Sequence, residues 1–113
     1  MSNKFDSSSI IGTSISLNPN LEVSQYDFPE KLNWNDAQKF CADLGDNWKL
    51  PDEDELNILY QNKDQIGSFK DEYYWSSRVS EIFEAIVQDF EYGDIAPFQK
   101  TAKHFVRAVR KFK

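Results

Sequence analysis

The spacing of apolar residues changes along this chain, and each change predicts an element. From Ile11 the pattern alternates, with Ile11, Thr13, Ile15 and Leu17 on one parity and Gly12, Ser14 and Ser16 on the other. That period of two predicts a half-buried strand over Ile11–Leu17. Asn18-Pro19-Asn20 signals a turn. Leu21 and Val23 then alternate with Glu22 and Ser24, predicting a second strand that ends near Asp27 and pairs with the first as a hairpin. Phe28-Pro29-Glu30-Lys31 reads as a linker. The period then switches to that of a helix. Trp34, Ala37, Cys41 and Leu44 form one apolar stripe, with Phe40 beside it, so a helix is expected over Trp34–Leu44 with Asn33 as its cap.

The stretch Leu44 to Leu56 joins this helix to a second one. Gly45 suits a helix stop, because it enters the left-handed region without a Cβ penalty. Pro51 biases Leu50 toward extended geometry. In an extended link Trp48 and Leu50 point to the same side and can fill one core. Asp52 with Glu55 three residues on forms a capping-box pattern, opening a helix over Glu53–Gln61 that buries Leu56, Leu59 and Tyr60. Residues 62–69 read as a loop that turns Ile66 and Phe69 inward. The second half is strand-like: Tyr73–Ser77 is short and aromatic, and Phe83–Phe90 is a run apolar enough to be covered on both faces. Glu91-Tyr92-Gly93-Asp94 is a turn into Ile95–Phe98, where Pro97 implies an edge strand or a break, and His104–Arg110 is the last strand. Helices early and strands at both ends predict an α+β domain: two helices packed on antiparallel sheets, with the first and last strands paired.

Composition narrows the function. At 113 residues the chain reads as one domain over 1–113, with a polar, frayed segment over 1–9. The net charge of −6 argues against nucleic-acid partners and anionic membranes. One cysteine, Cys41, allows no disulfide within the chain. With no apolar leader core visible, a cytoplasmic location is expected.

The ordered set Trp34, Ala37, Cys41, Leu44-Gly45, Trp48-Lys49-Leu50-Pro51, Glu55-Leu56, Tyr60, Ile66-Gly67, Phe69, Tyr74-Trp75-Ser76-Ser77, Asp89-Phe90, Gly93 and Val106-Arg107-Ala108-Val109-Arg110 resembles a bacterial family of C-type-lectin-like domains. It is similar to the C-terminal domain of bacterial collagen-like adhesins. The resemblance covers about Leu21 to Lys111. It implies a two-helix domain with paired terminal strands and a second small sheet carrying a loop-rich face. That family usually has Arg where Lys49 stands and Gly where Asn47 and Ser68 stand. Many of its members are exported.

Chemical motifs are sparse. Trp34-Asn35-Asp36 spells a triplet used by calcium-dependent lectins, but it sits at a helix start, where the oxygens a calcium ion needs do not converge. Cys41 lies on an apolar stripe and reads as an inert buried thiol. His104 has no second histidine and no adjacent carboxylate, and reads as a surface or strand-edge residue. Asp52-Glu53-Asp54-Glu55 suits a helix start. No metal site, no cofactor and no catalytic constellation is expected. Arg107 shares parity with Phe105 and Val109, so its head points into the core and requires a carboxylate or carbonyl partner. Loops on a rigid scaffold concentrate binding residues. The candidates are Arg78, Ser80 and Glu81 after the aromatic strand, and Tyr92, Asp94, Phe98, Gln99 and Lys100 around the Gly93 turn. The expected function is a non-enzymatic module that binds a protein or glycan through the loop face following Trp75. The alternative is a small acidic cytoplasmic regulator or inhibitor of a partner protein, of phage or defence type, with salt-sensitive association.

Overall fold

A computed structural model describes residues 5–17 and 20–111. In chain order the elements are α1 (Ser7–Ile11), β1 (Ile15–Leu17), β2 (Leu21–Val23), α2 (Trp34–Asp43), α3 (Glu53–Gln61), α4 (Lys63–Ile66), β3 (Tyr73–Glu81), β4 (Glu84–Asp89), β5 (Ile95–Gln99) and β6 (Val109–Lys111). Two antiparallel sheets result, one in the order β1-β2-β6 and one in the order β3-β4-β5. The closing strand joins the opening hairpin through its second strand and not, as expected, its first: β6 pairs with β2, with Leu21 facing Lys111 and Val23 facing Val109, while β1 pairs with the other side of β2.

Local chemistry explains both long helices. The Asn33 side chain accepts the Asp36 N–H at 2.9 Å, which sets the start of α2. Asp52 accepts the Glu55 N–H at 2.7 Å, while Glu55 Oε1 accepts the Asp52 N–H at 2.9 Å, completing the box at α3. Gly45 follows α2 at φ +79°. Asn47 and Ser68 hold φ of 68° and 65°, so both left-handed turns form without glycine. Lys49 pairs backbone with Val109 at 2.8 and 3.0 Å, which adds the extended link to the terminal sheet. Trp48 and Leu50 flank that bridge and are both buried.

One core lies between α2 and the β3-β4-β5 sheet, with Trp34, Ala37, Cys41, Trp48, Leu50, Trp75 and Val87 among its members. A second joins Leu21, Val23 and Val109 to Leu56, Leu59, Ile66, Tyr74 and Phe90. Two buried indole N–H groups are satisfied: Trp34 donates to Ser76 O at 2.9 Å and Trp75 to Leu32 O at 2.8 Å.

Arg107 is fully buried. Its Nε donates to Asp27 Oδ1 at 2.7 Å, its terminal nitrogens donate to Ser24 O, Gly67 O and Ser68 O, and its guanidinium lies 3.9 Å over the Phe69 ring. Tyr74 donates its hydroxyl to the other Asp27 oxygen at 2.6 Å. The partner required by parity is thus a carboxylate together with three carbonyls.

Several elements differ from expectation. Where a frayed segment and then a strand from Ile11 were expected, Ser7–Ile11 is a short helix, because the Asp6 side chain accepts the Ser8 N–H and Ile10 is buried. Residues 1–4 and the turn residues Asn18 and Pro19 lie outside the described residues. The second strand stops at Val23, where Ser24 bonds Ala108 instead of β1. The loop over 62–69 contains α4. The aromatic strand continues to Glu81. The final strand shrinks to Val109–Lys111, preceded by single bridges from His104 to Leu32 and from Phe105 to Tyr74.

Candidate ligand-binding face

The β3-β4-β5 sheet is a meander, so its connections fall at alternate ends. At one end β3 returns into β4 through Ile82 and Phe83. Register shifts between Trp75 and Val79, and again before Glu81, twist the hairpin outward. Neither Ile82 nor Phe83 has the positive φ that marks the usual two-residue hairpin turns. They project into solvent at 80% and 78% exposure, with Val79 also exposed.

This tip is tied to the start of α2 through Lys100. The Lys100 N–H donates to Phe83 O at 2.8 Å, and its Nζ donates to Ile82 O at 3.0 Å while lying 4.4 Å from the centre of the Trp34 ring. Lys100 O accepts the Trp34 N–H at 3.0 Å. Beside the tip is an open cleft of about 550 Å³, lined by Asn35, Ile82, Phe83, Gln99, Lys100 and Thr101. A second hollow of about 420 Å³ shares Ile82, Phe83 and Gln99 and adds Glu81 and Glu84. Arg78 is engaged by Glu53 at 2.6 Å. Among the described residues Glu81 and Glu84 have no ion-pair partner.

The opposite end holds the β4–β5 turn, about 17 Å away along β4. There the Gly93 N–H donates to Asp89 O at 2.7 Å and the Asp89 N–H donates to Asp94 O at 2.8 Å. A Cβ on Gly93 would stand 2.8 Å from the Tyr60 ring, so this turn packs tightly on α3. Tyr92 is exposed there. The structure therefore divides the sequence-predicted set. Arg78, Ser80, Glu81, Gln99 and Lys100 gather at the tip end; Tyr92 and Asp94 lie at the other. Phe98 belongs to neither, since its ring packs 5.2 Å from Tyr73 and 4.6 Å from His104.

Sequence reasoning missed Ile82, Phe83 and Val79, because an apolar run reads as buried strand. The available signal was Glu81-Ile82-Phe83-Glu84, an apolar pair set between two carboxylates. Asn35 and Thr101 reach the same cleft only through the fold.

Elsewhere Cys41 is fully buried, and burial pushes its thiol pKa up, away from reactive thiolate. His104, expected at the surface or a strand edge, lies in a single bridge to Leu32 and is half-buried. Its ring sits 5.7, 4.9 and 4.6 Å from those of Tyr73, Trp75 and Phe98, and its Nε2 is buried without a hydrogen-bond partner. Burial first, and then the positive charge of Lys31, push its pKa down to about 4, against a weaker pull from Glu72. The described residues contain no group of three or more His, Cys, Asp or Glu side chains placed to hold a metal ion. No helix among them is long and apolar enough to cross a membrane.

Residues 13–110 match the Lcl C-terminal domain family. The chain belongs to that family. A search of curated protein sequences returns no match. Among solved structures the domain is similar to botrocetin, with a TM-score of 0.65 at 11% identity, covering 89% of this chain and 98% of that one. A chain from the complex of botrocetin with a mutant von Willebrand factor A1 domain is similar too, with a TM-score of 0.63 at 11% identity and the same coverage. At such identity the likeness is one of fold, and the fold is C-type-lectin-like.

Proposed function

We propose that this Lcl C-terminal domain is a non-enzymatic binding module that meets a protein or glycan through the tip end of the β3-β4-β5 sheet. The observation that carries this reading is the solvent-facing Ile82-Phe83 pair, held in place by Lys100 between two hollows. Large apolar side chains left exposed side by side on a rigid scaffold mark interaction surfaces. Anchoring of the tip by Lys100 lowers the ordering cost of association. The state of the two reactive side chains supports a non-enzyme: Cys41 is buried as a thiol, and His104 is half-buried against three aromatic rings. A fold neighbour found in a complex with a protein domain is consistent with protein recognition.

The test compares wild type with an Ile82→Ser, Phe83→Ser double variant in pull-downs from source-cell extract and on a glycan array. Retention of the ligand should fall about tenfold or more, while unfolding stability stays within about 0.5 kcal/mol because both side chains are exposed. Undiminished retention by the folded variant overturns the reading. A second reading, a small acidic cytoplasmic regulator or inhibitor, is favoured by the net charge of −6. It calls for association with a basic protein that weakens as salt rises.

A further inference from the structure

We infer that the tip is a plug for a protein partner presenting an apolar socket rimmed by lysine or arginine side chains. This deepens the proposed binding role and rests on the tip being the contact surface. The charge pattern defines the partner. Glu81 and Glu84 flank Ile82 and Phe83 and carry no ion pair among the described residues. Of the basic neighbours, Arg78 has its charge paired by Glu53, while Lys100 keeps its charge but is drawn back against Ile82 O and the Trp34 ring, leaving the two carboxylates in excess. An approaching surface therefore meets an apolar centre with an acidic rim, on a chain of net charge −6. Phosphate-rich nucleic acid, anionic lipid and acidic glycan are repelled by that rim. A second copy docking tip to tip across a twofold axis would bring like carboxylates together. A cationic rim gains both steering and register.

The neighbouring edge favours end-on insertion over strand addition. The Lys100 N–H and Asp94 O both face β4. Alternation therefore turns the backbone of Ile95, Pro97 and Gln99 outward on this edge strand. Pro97 has no N–H to offer an incoming strand at the middle of that edge.

The test places p-benzoylphenylalanine at position 83 of the full chain and crosslinks it in source-cell extract. The captured protein is identified, purified and titrated against wild type, Glu81→Gln/Glu84→Gln and Ile82→Ser/Phe83→Ser at about 50 and about 500 mM salt. The expected partner carries Lys or Arg beside apolar residues at the crosslinked site. Its Kd should rise about tenfold or more with the apolar double variant. It should rise about threefold or more with the glutamine double variant, whose salt dependence should also be shallower. Circular dichroism confirms that each variant is folded. A partner sensitive to the apolar variant but indifferent to Glu81, Glu84 and salt overturns this inference and leaves the tip as the contact. A partner indifferent to the apolar variant overturns both. Crosslinking to a second copy, to lipid or to nothing overturns the inference.

Discussion

A buried arginine is tolerable only when its positive charge and its N–H donors are matched, and Arg107 meets both conditions. Asp27 supplies the charge, and the carbonyls of Ser24, Gly67 and Ser68 take the remaining donors. These contacts fasten the end of β2, the turn after α4 and the approach to β6 at one point. Arg107→Met keeps the volume but leaves the Asp27 carboxylate buried without its ion-pair partner, with only the weaker influence of Lys70 remaining. Urea unfolding should show a loss of about 3–5 kcal/mol. Lys49 is the milder case. Its Nζ reaches Glu55 Oε1 at 2.6 Å, while Glu55 Oε2 has no hydrogen bond and stands 3.9 Å from Lys111 Nζ. The planar fork of arginine can meet both oxygens. Lys49→Arg should therefore raise stability by about 1 kcal/mol in the same assay, and an unchanged midpoint would show that Lys111 already satisfies Glu55.

At the scale of elements, the β3-β4-β5 meander decides what the loops can do together. Residues near one another in sequence, such as Tyr92 and Gln99, are sent to opposite ends because β5 runs between them. The free edge of the same sheet is interrupted by Pro97, which pairs with Ile86 on its inner side. Pro97→Val restores an outward N–H and straightens a β-prone edge. Analytical ultracentrifugation should then show concentration-dependent self-association absent from wild type. A variant that sediments like wild type would mean that the edge is closed by something other than proline.

At the scale of the whole molecule, folding free energy responds to pH through every group whose pKa shifts on burial. His104 is held near pKa 4 against an ordinary 6.5, so between those values the unfolded chain binds a proton that the folded chain refuses. Its contribution to stability is therefore present above about pH 6.5, is lost as pH falls toward 4, and levels off below. Burial lifts the Asp27 carboxyl pKa, which acts in the opposite sense. Hydrogen bonds from Arg110 and Ser14 lower that of Glu22, which acts in the same sense as His104. Both are common to wild type and His104→Gln, so the difference between the two unfolding curves isolates the histidine. The gap in pH slope between 6.5 and 4 should close in the variant. Parallel curves would remove the partial burial of His104 as its cause.

Much of the frame was legible because its causes lie within a few residues. Caps at Asn33 and Asp52, the stop at Gly45 and the alternation of Trp48 and Leu50 about Lys49 each depend on a side chain reaching its own neighbourhood, and all stand where the pattern put them. Even the need of Arg107 for a partner followed from parity. Its identity did not, because Asp27 is 80 residues away in sequence. The same holds for the rings around His104 and for the fate of Ile82-Phe83. Whether an apolar pair is core or contact surface depends on whether another layer covers it, and the sequence carries only the pair's hydrophobicity. Sequence alone determined where helices begin and end and which side chains seek the interior. Tertiary structure alone decided which of them found cover, because cover comes from segments brought together only by folding.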